Sequence, residues 1–293
     1  MQEQEINSYS TGFIVHLTLL HILAAIGVWY AIAFPNPAIV IAAVGYFFLC
    51  HLAITVGAHR YFTHGAFETS RPVAYLLGLF YSGVYEGELS RWVGRHLQHH
   101  EYEDVPGLDP HTPLDGFFHS HMGWFMKKSN LAPPPAKYLA RFEKPGVANE
   151  VIRWQSRNYK LLSFLMALCV PITLGALLGD IWGGVLIILA LRQVVQYHAT
   201  WVVNSIGHTI GERGDNLATN FGRLLYLPIA AIVTVGEAWH ANHHRSSAHW
   251  RLGRKWWEID MGAYVIWLLS KLGLVWNLKA PADRIRVPQI KSL

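Results

Sequence analysis

Four stretches of this chain are each apolar and long enough to cross a bilayer, and nothing else in the sequence restricts its fold as strongly. A helix rises about 1.5 Å per residue, so roughly 20 apolar residues traverse the hydrocarbon core. Residues 12–34, 38–58, 161–179 and 181–203 have that length and character. With no water to satisfy backbone donors inside lipid, each must close its hydrogen bonds internally as a helix. Two hairpins result. The first turns at Pro35-Asn36-Pro37, where two prolines remove backbone donors, and the second at Gly179-Asp180. The sequence therefore predicts an all-α membrane protein of four transmembrane helices in two hairpins. A weaker apolar run, Val73 to Val84, is too short to span and reads as a re-entrant or interfacial helix.

Composition excludes the other broad classes. Only 15% of the residues are charged against 52% hydrophobic, which excludes disorder, and Cys50 and Cys169, each within an apolar run, cannot make a disulfide-stapled scaffold. Of 24 Lys and Arg, ten fall between Arg91 and Lys160 and eleven from Arg213 onward, and neither hairpin tip carries one. Loops rich in Lys and Arg stay in the cytoplasm, so both termini and the segments 59–160 and 204–293 are expected to form one cytoplasmic helical cap. The formal charge of +5 then implies membrane lipid and no nucleic acid. The first eleven residues contain Glu3 and Glu5 and no basic cluster, so the first helix is expected to be retained as an anchor. The chain reads as one domain, 1–293.

The 17 histidines are not scattered. They include His59 and His64, then His96, His99 and His100, then His208 four residues after Asn204, then His240, His243 and His244. Chance yields roughly 0.06 HxxHH strings in a chain of this composition, and here there are two. On a helix, positions i, i+3 and i+4 share a face, so each HxxHH is expected to present three imidazoles to one point, with Asn204 and His208 similarly aligned. His59 and His64 lie about 140° apart around an ideal helix and are expected to straddle a helix end, gripping a metal from two directions. Nine imidazoles exceed the needs of one ion and, with the Asn204 amide, suit a histidine-ligated di-metal centre in the cap. Imidazole accepts Fe, Cu, Ni or Zn, and the absence of a thiolate cluster argues against iron–sulfur chemistry. His16, His21, His51, His119, His121 and His249 read as hydrogen-bonded or interfacial side chains.

Further motifs accompany the histidines. They include Trp92 before the second box, Asp109-Pro110-His111, Ser120-His121 with Gly123-Trp124, and Leu191-Arg192 followed by Ala199-Thr200-Trp201 and Asn204-Ser205. Gly236-Glu237 precedes the last box, and Trp256-Trp257-Glu258-Ile259-Asp260 follows it. With these the chain resembles the membrane-bound fatty acyl desaturases, in particular the acyl-CoA Δ9 (stearoyl-CoA-type) branch in its bacterial form.

That resemblance implies two Fe ions, O2 as cosubstrate and a bent acyl tunnel beneath the cap. One iron would take His59, His64, His96, His100 and His243. The other would take His99, His208, His240 and His244, with Asn204 reaching it through a water, and no catalytic residues are implied beyond these ligands. Trp92, Thr200, Trp201 and His198 are the candidates for the acyl-binding wall. The fatty acyl substrate would be carried by CoA, acyl carrier protein or a lipid, and a separate electron donor such as ferredoxin, rubredoxin or cytochrome b5 would dock on the cap. The bacterial form points to the bacterial inner membrane in preference to the endoplasmic reticulum. The chain departs from the family pattern at Leu97, His198 and Arg245-Ser246-Ser247. Competing readings are an acyl hydroxylase or acetylenase on the same scaffold, a membrane zinc hydrolase and a haem carrier. Arg192, near the middle of the fourth span, must face the bundle or snorkel.

Overall fold

The computed structural model describes residues 8–214, 217–223 and 228–282; Glu3, Glu5 and the ends of the expected cap lie outside them. Four helices are long and apolar enough to cross a membrane: α1 (Thr11–Ala33), α2 (Pro37–Thr63), α6 (Tyr159–Leu177) and α7 (Ile181–His208). The expected two hairpins are present, and this is a multi-pass membrane protein. Caps in the sequence start the helices. Ser10 accepts the Phe13 N–H at 3.4 Å, and Asn36, with Pro37 in the first turn, accepts that of Ile39 at 3.5 Å. Asp180 accepts the Gly183 N–H at 2.7 Å and the Tyr30 hydroxyl at 2.9 Å, binding the two hairpin tips together. Residues such as Ile32, Ile41 and Leu177, more than two-thirds exposed, form the outward face that a bilayer would cover.

α2 and α7 run further than their apolar blocks suggest, to Thr63 and His208, so they rise out of the bundle into the cap. Each changes helix type on the way. α2 is π-helical from Ala53 to Thr63 and every residue of that stretch is buried; α7 is π-helical over Gly184–Leu191 and ends in a 3-10 turn at Ile206–His208. Such π segments are uncommon and occur mainly at functional sites.

The cap consists of α3 (Arg71–Ser82), α4 (Leu89–Glu101), α5 (Val147–Arg157), α8 (His240–Arg245) and α9 (Met261–Lys271), with short turns between them. α3 covers the short run expected to be interfacial and buries Ala74, Gly78 and Tyr81. Of two short antiparallel pairs, Glu68–Thr69 with Val275–Trp276 ties the start of the cap to its C-terminal part, and Glu212–Arg213 with Thr219–Asn220 is local. Arg192 faces the bundle. It is 3% exposed, donates to the Gly83 and Ile188 carbonyls and lies 5.0 Å from the Tyr46 ring.

Close backbone approach sets the second hairpin. A Cβ added to Gly175 would lie 2.5 Å from the Gly184 Cα, whereas one added to Gly12 would meet nothing within 4 Å. Gly175→Ala is therefore expected to destabilise the protein by about 1–3 kcal/mol, and Gly12→Ala to leave it unchanged. Thermal unfolding in detergent checks this, and equal midpoints for the two variants would refute the packing argument.

Candidate metal centre

Nine histidines from α2, α4, α7 and α8 converge in two adjoining groups. In the first, ring nitrogens of His59, His64, His96, His100 and His243 all lie within 4.8 Å of one another; in the second, those of His99, His208, His240 and His244 do so. Neighbouring Nε2 atoms in the first group are 2.9 Å apart for His59–His243 and His100–His243, and 3.1 Å for His64–His96 and His96–His100. In the second they are 2.9 Å for His208–His240, 3.0 Å for His240–His244 and 3.4 Å for His99–His244. The groups touch where the His100 and His244 rings stack, 4.6 Å between centroids.

Two local arrangements differ from the sequence expectation. Each HxxHH serves two points instead of one. Successive helical residues are about 100° apart, so α4 sends His96 and His100 to the first group and His99 to the second. α8 does the reverse, with His243 in the first group and His240 and His244 in the second. The His59–His64 pair is closer than an α-helix allows. The π-helical end of α2 makes an i to i+5 bond, His64 N–H to His59 carbonyl at 3.2 Å, which brings residues five apart onto one face with ring centroids 5.1 Å apart.

Carboxylates behind the rings aim them. His59 Nδ1 lies 2.8 Å from Glu237, His99 Nδ1 2.9 Å from Asp109, His208 Nδ1 2.9 Å from Asp104 and His244 Nδ1 2.8 Å from Glu103. His99 and His208 donate from Nδ1 in hydrogen bonds, whereas Glu237 and Glu103 lie within ion-pair distance of His59 and His244; in all four rings the carboxylate is on the Nδ1 side and Nε2 faces inward. Glu103 and Asp104 are absent from the sequence reading, and Asp109 and Glu237 stood in its motifs without a role. Glu103, Asp104 and Glu237 stand within five residues of a histidine box, a visible signal, but each serves a histidine on a different element. The turn carrying Glu237 is tightly built. Val235 has φ 53°, unusual for a β-branched residue, and Gly236 has φ 101° with space for a Cβ only 2.3 Å from an Asp260 oxygen.

Electrostatics favour neutral imidazoles. Burial, reinforced by neighbouring rings, holds His64, His96, His100, His240, His243 and His244 well below the usual histidine value. His99 moves the other way. Burial is the largest single influence and lowers it, but Asp109, Glu103 and Asp104 together raise it to about 8.

Nine inward nitrogens at these spacings fit a pair of metal ions. Ligands about 2.1 Å from an ion lie about 3.0 Å apart at right angles and about 3.4 Å apart at the tetrahedral angle. Most of the separations here match the right-angled value, and five nitrogens in one group exceed a tetrahedral shell. The five-nitrogen group suits a five- or six-coordinate ion better than a four-coordinate one, and the second group offers four nitrogens to a metal. Asp104→Asn and Glu237→Gln should each weaken iron binding by about 10–100-fold. Chelator competition followed by metal analysis reads this, and unchanged affinity in both variants would remove the aiming role.

Two small cavities that share wall residues adjoin the centre. One, about 40 Å³, lies between the two groups and the bundle, lined by His59, His96, His99 and His240 above and by His51, Ile54 and Thr55 of α2 below. The second, about 50 Å³, shares Trp92, His96, Thr200 and Asn204 with it and is also lined by Glu86, Arg91 and Arg95. Of the sequence candidates, Trp92, Thr200 and Asn204 stand on both walls. Trp201 stands on neither; it is fully buried and stacked on Tyr197, 4.9 Å between centroids. His198 also lies elsewhere, joined to His21 at 3.1 Å and His121 at 2.9 Å in a hydrogen-bonded row that contributes to neither histidine group.

Comparison with known proteins agrees with this centre. Residues 35–269 match the sequence profile of the family described as fatty acid desaturase. The chain is 31% identical over 95% of its length to a hex-5-enoyl-[acyl-carrier protein] acetylenase of Moorena producens, 90% of which is covered. It is 32% identical over 83% of its length to the sn-1 stearoyl-lipid 9-desaturase of Anabaena variabilis, with 84% of that protein covered. With acyl-CoA 5-desaturase AL21 of Anemone leveillei the identity is 31% over 78% of this chain and 68% of the relative.

Proposed function

The chain belongs to the fatty acid desaturase family, and on that premise we propose that it is an O2-dependent di-iron oxidoreductase that introduces unsaturation into an acyl chain. The observation that carries this reading is the convergence of nine inward imidazole nitrogens directly above a cavity. His59, His64, His96, His100 and His243 would hold one iron. His99, His208, His240 and His244 would hold the other, with Asn204 completing it through a water. When bound, the iron pair supplies the oxidation that side chains cannot: two hydrogens leave adjacent methylenes and, with two electrons and two protons, reduce O2 to two waters.

This chain's residues determine where that happens. Four imidazoles roof the inner cavity, and His51, hydrogen-bonded to Gln196, stands on its floor, so one segment of the acyl chain is held below the irons. Trp92 stacks on His96, 5.1 Å between centroids, and lines both cavities. Burial of the acyl chain, worth roughly 0.8 kcal/mol per CH2, holds it without selecting a carbon; the cavity walls do that. The buried Glu237, Asp109, Asp104 and Glu103 fix the imidazole positions so that little reorganises during reaction. The basic cap supports a cytoplasmic orientation in a bacterial inner membrane and docking of a separate electron donor such as ferredoxin, rubredoxin or cytochrome b5.

Acetylenase activity is the second reading, and the relative from Moorena producens, aligned over 95% of this chain, favours it. The names of the relatives differ in bond position and in acyl carrier, so Δ9 specificity and an acyl-CoA carrier do not follow from them. The deciding experiment supplies the purified, iron-loaded protein with an electron donor, O2 and acyl chains on CoA, acyl carrier protein or lipid. A mass loss of 2 identifies desaturation and a loss of 4 acetylenation, whereas a gain of 16 would indicate hydroxylation. No oxygen-dependent change with any donor, or full turnover with zinc alone, would reject the proposal.

A further inference from the structure

The space beneath the histidines is closed from below. The inner cavity measures about 40 Å³, room for about three groups the size of a water or a methylene. Its floor is His51, 1% exposed, whose Nδ1 accepts the amide N–H of the fully buried Gln196 across the bundle. One turn further down α2 the Phe47 ring stacks on His51, 5.1 Å between centroids and 13° between planes. Phe47 belongs to the wall of another space, an apolar cleft of about 390 Å³ between α2 and α7, whose Val40, Val44 and Val195 are 41–50% exposed where a bilayer would lie. α7 shows the same division: Ala199 lines the inner cavity and Val195, one turn away, the cleft. His51 and Phe47 are thus a partition one pair of rings thick. Swinging the His51 ring aside would break its stack and strand a buried amide, so the partition holds against a hydrocarbon.

We propose that His51, backed by Phe47, is an end stop for the methyl terminus of the acyl chain, so that this protein unsaturates the last few carbons of its substrate and counts their position from the methyl end. The volume of the inner cavity limits the hydrocarbon beyond the reacting carbons to about three groups, and every further methylene must lie on the side of the acyl carrier. Without the partition, a tail could continue into the cleft. From Phe47 to Val40 the cleft follows α2 for about 10 Å, the length of roughly eight methylenes. The assignment rests on the reading of the chain as an acyl desaturase and adds which end of the acyl chain reacts.

The test uses the full-length, iron-loaded protein and acyl thioesters of eight to eighteen carbons. Without an electron donor, calorimetry compares linear chains with chains of equal carbon count that end in a tert-butyl group. The branched end should weaken binding to the wild type by about tenfold or more, because a closed floor cannot take the added width. Phe47→Ala combined with His51→Ala, which joins the cavity to the cleft, should remove most of that loss. With donor and O2, fragmentation mass spectrometry should place the new unsaturation within about the last four carbons of every chain that reacts in the wild type. In the double variant it should move inward by about three to eight carbons on chains of twelve or more, one to two turns of the opened cleft. Equal binding of linear and branched ends to the wild type, wild-type unsaturation five or more carbons from the methyl end, or an unmoved position in the double variant would overturn the proposal. If no acyl chain loses hydrogen, the desaturase reading fails, while the binding comparison still decides the end stop. Should the double variant fail to fold, the two wild-type measurements decide it.

Discussion

His240→Ala is expected to reduce the iron content from two ions per chain toward one and to lower acyl dehydrogenation by at least about 100-fold. The effect is large because His240 is central to its group, with Nε2 2.9 Å from that of His208 and 3.0 Å from that of His244. Removing it opens one side of a buried shell, and the nearby carboxylates Asp104 and Glu103 stand on the Nδ1 side of His208 and His244. Metal analysis of the purified variant and product quantification measure the two effects separately. Retention of two irons with conversion within tenfold of the wild type would show that the second group is not a metal site.

Arg60→Leu is expected to cost about 3–5 kcal/mol of stability and to lower the apparent unfolding temperature in detergent by about 10 °C. Arg60 is 1% exposed. Its guanidinium grips both oxygens of Asp260, at 2.8 and 3.2 Å, donates to the Trp250 carbonyl at 3.2 Å, and lies 3.7 Å from Glu237. Without it, two carboxylates remain buried with no countercharge. Glu237 aims His59, and Asp260 caps α9 through the Ala263 N–H at 2.9 Å, so the damage should extend to the metal centre. Adding Asp260→Leu should recover part of the stability by removing one orphaned charge. A midpoint within 2 °C of the wild type would refute this account.

Much of the architecture was legible because its causes are local. Apolar length gave the four spans, and prolines or a Gly-Asp pair marked the hairpin turns. The histidine boxes gave the nine imidazoles, and positions four apart, His96 with His100 and His240 with His244, share a group, whereas positions three apart do not. The failures occurred where neighbouring elements decide the outcome. Trp201 had the sequence appearance of a tunnel residue, yet Tyr197 and Phe125 enclose it. His198, on the same helix, turns to His21 and His121 instead of the cavity.

The amino-acid order by itself determined the membrane class, the number of spans, the two hairpins and the supply of imidazoles, because hydrophobic length and helical periodicity are properties of contiguous residues. Helical periodicity did not contain the division of those imidazoles between two points, which only the family resemblance implied, and tertiary structure alone decided which carboxylate aims which ring and how the π-helical end of α2 brings His59 and His64 onto one face. These outcomes depend on energies shared among α2, α4, α7 and α8. A helix widens or turns a ring inward only when the gain in burial and hydrogen bonding against its neighbours exceeds the local cost, and no single segment contains that balance.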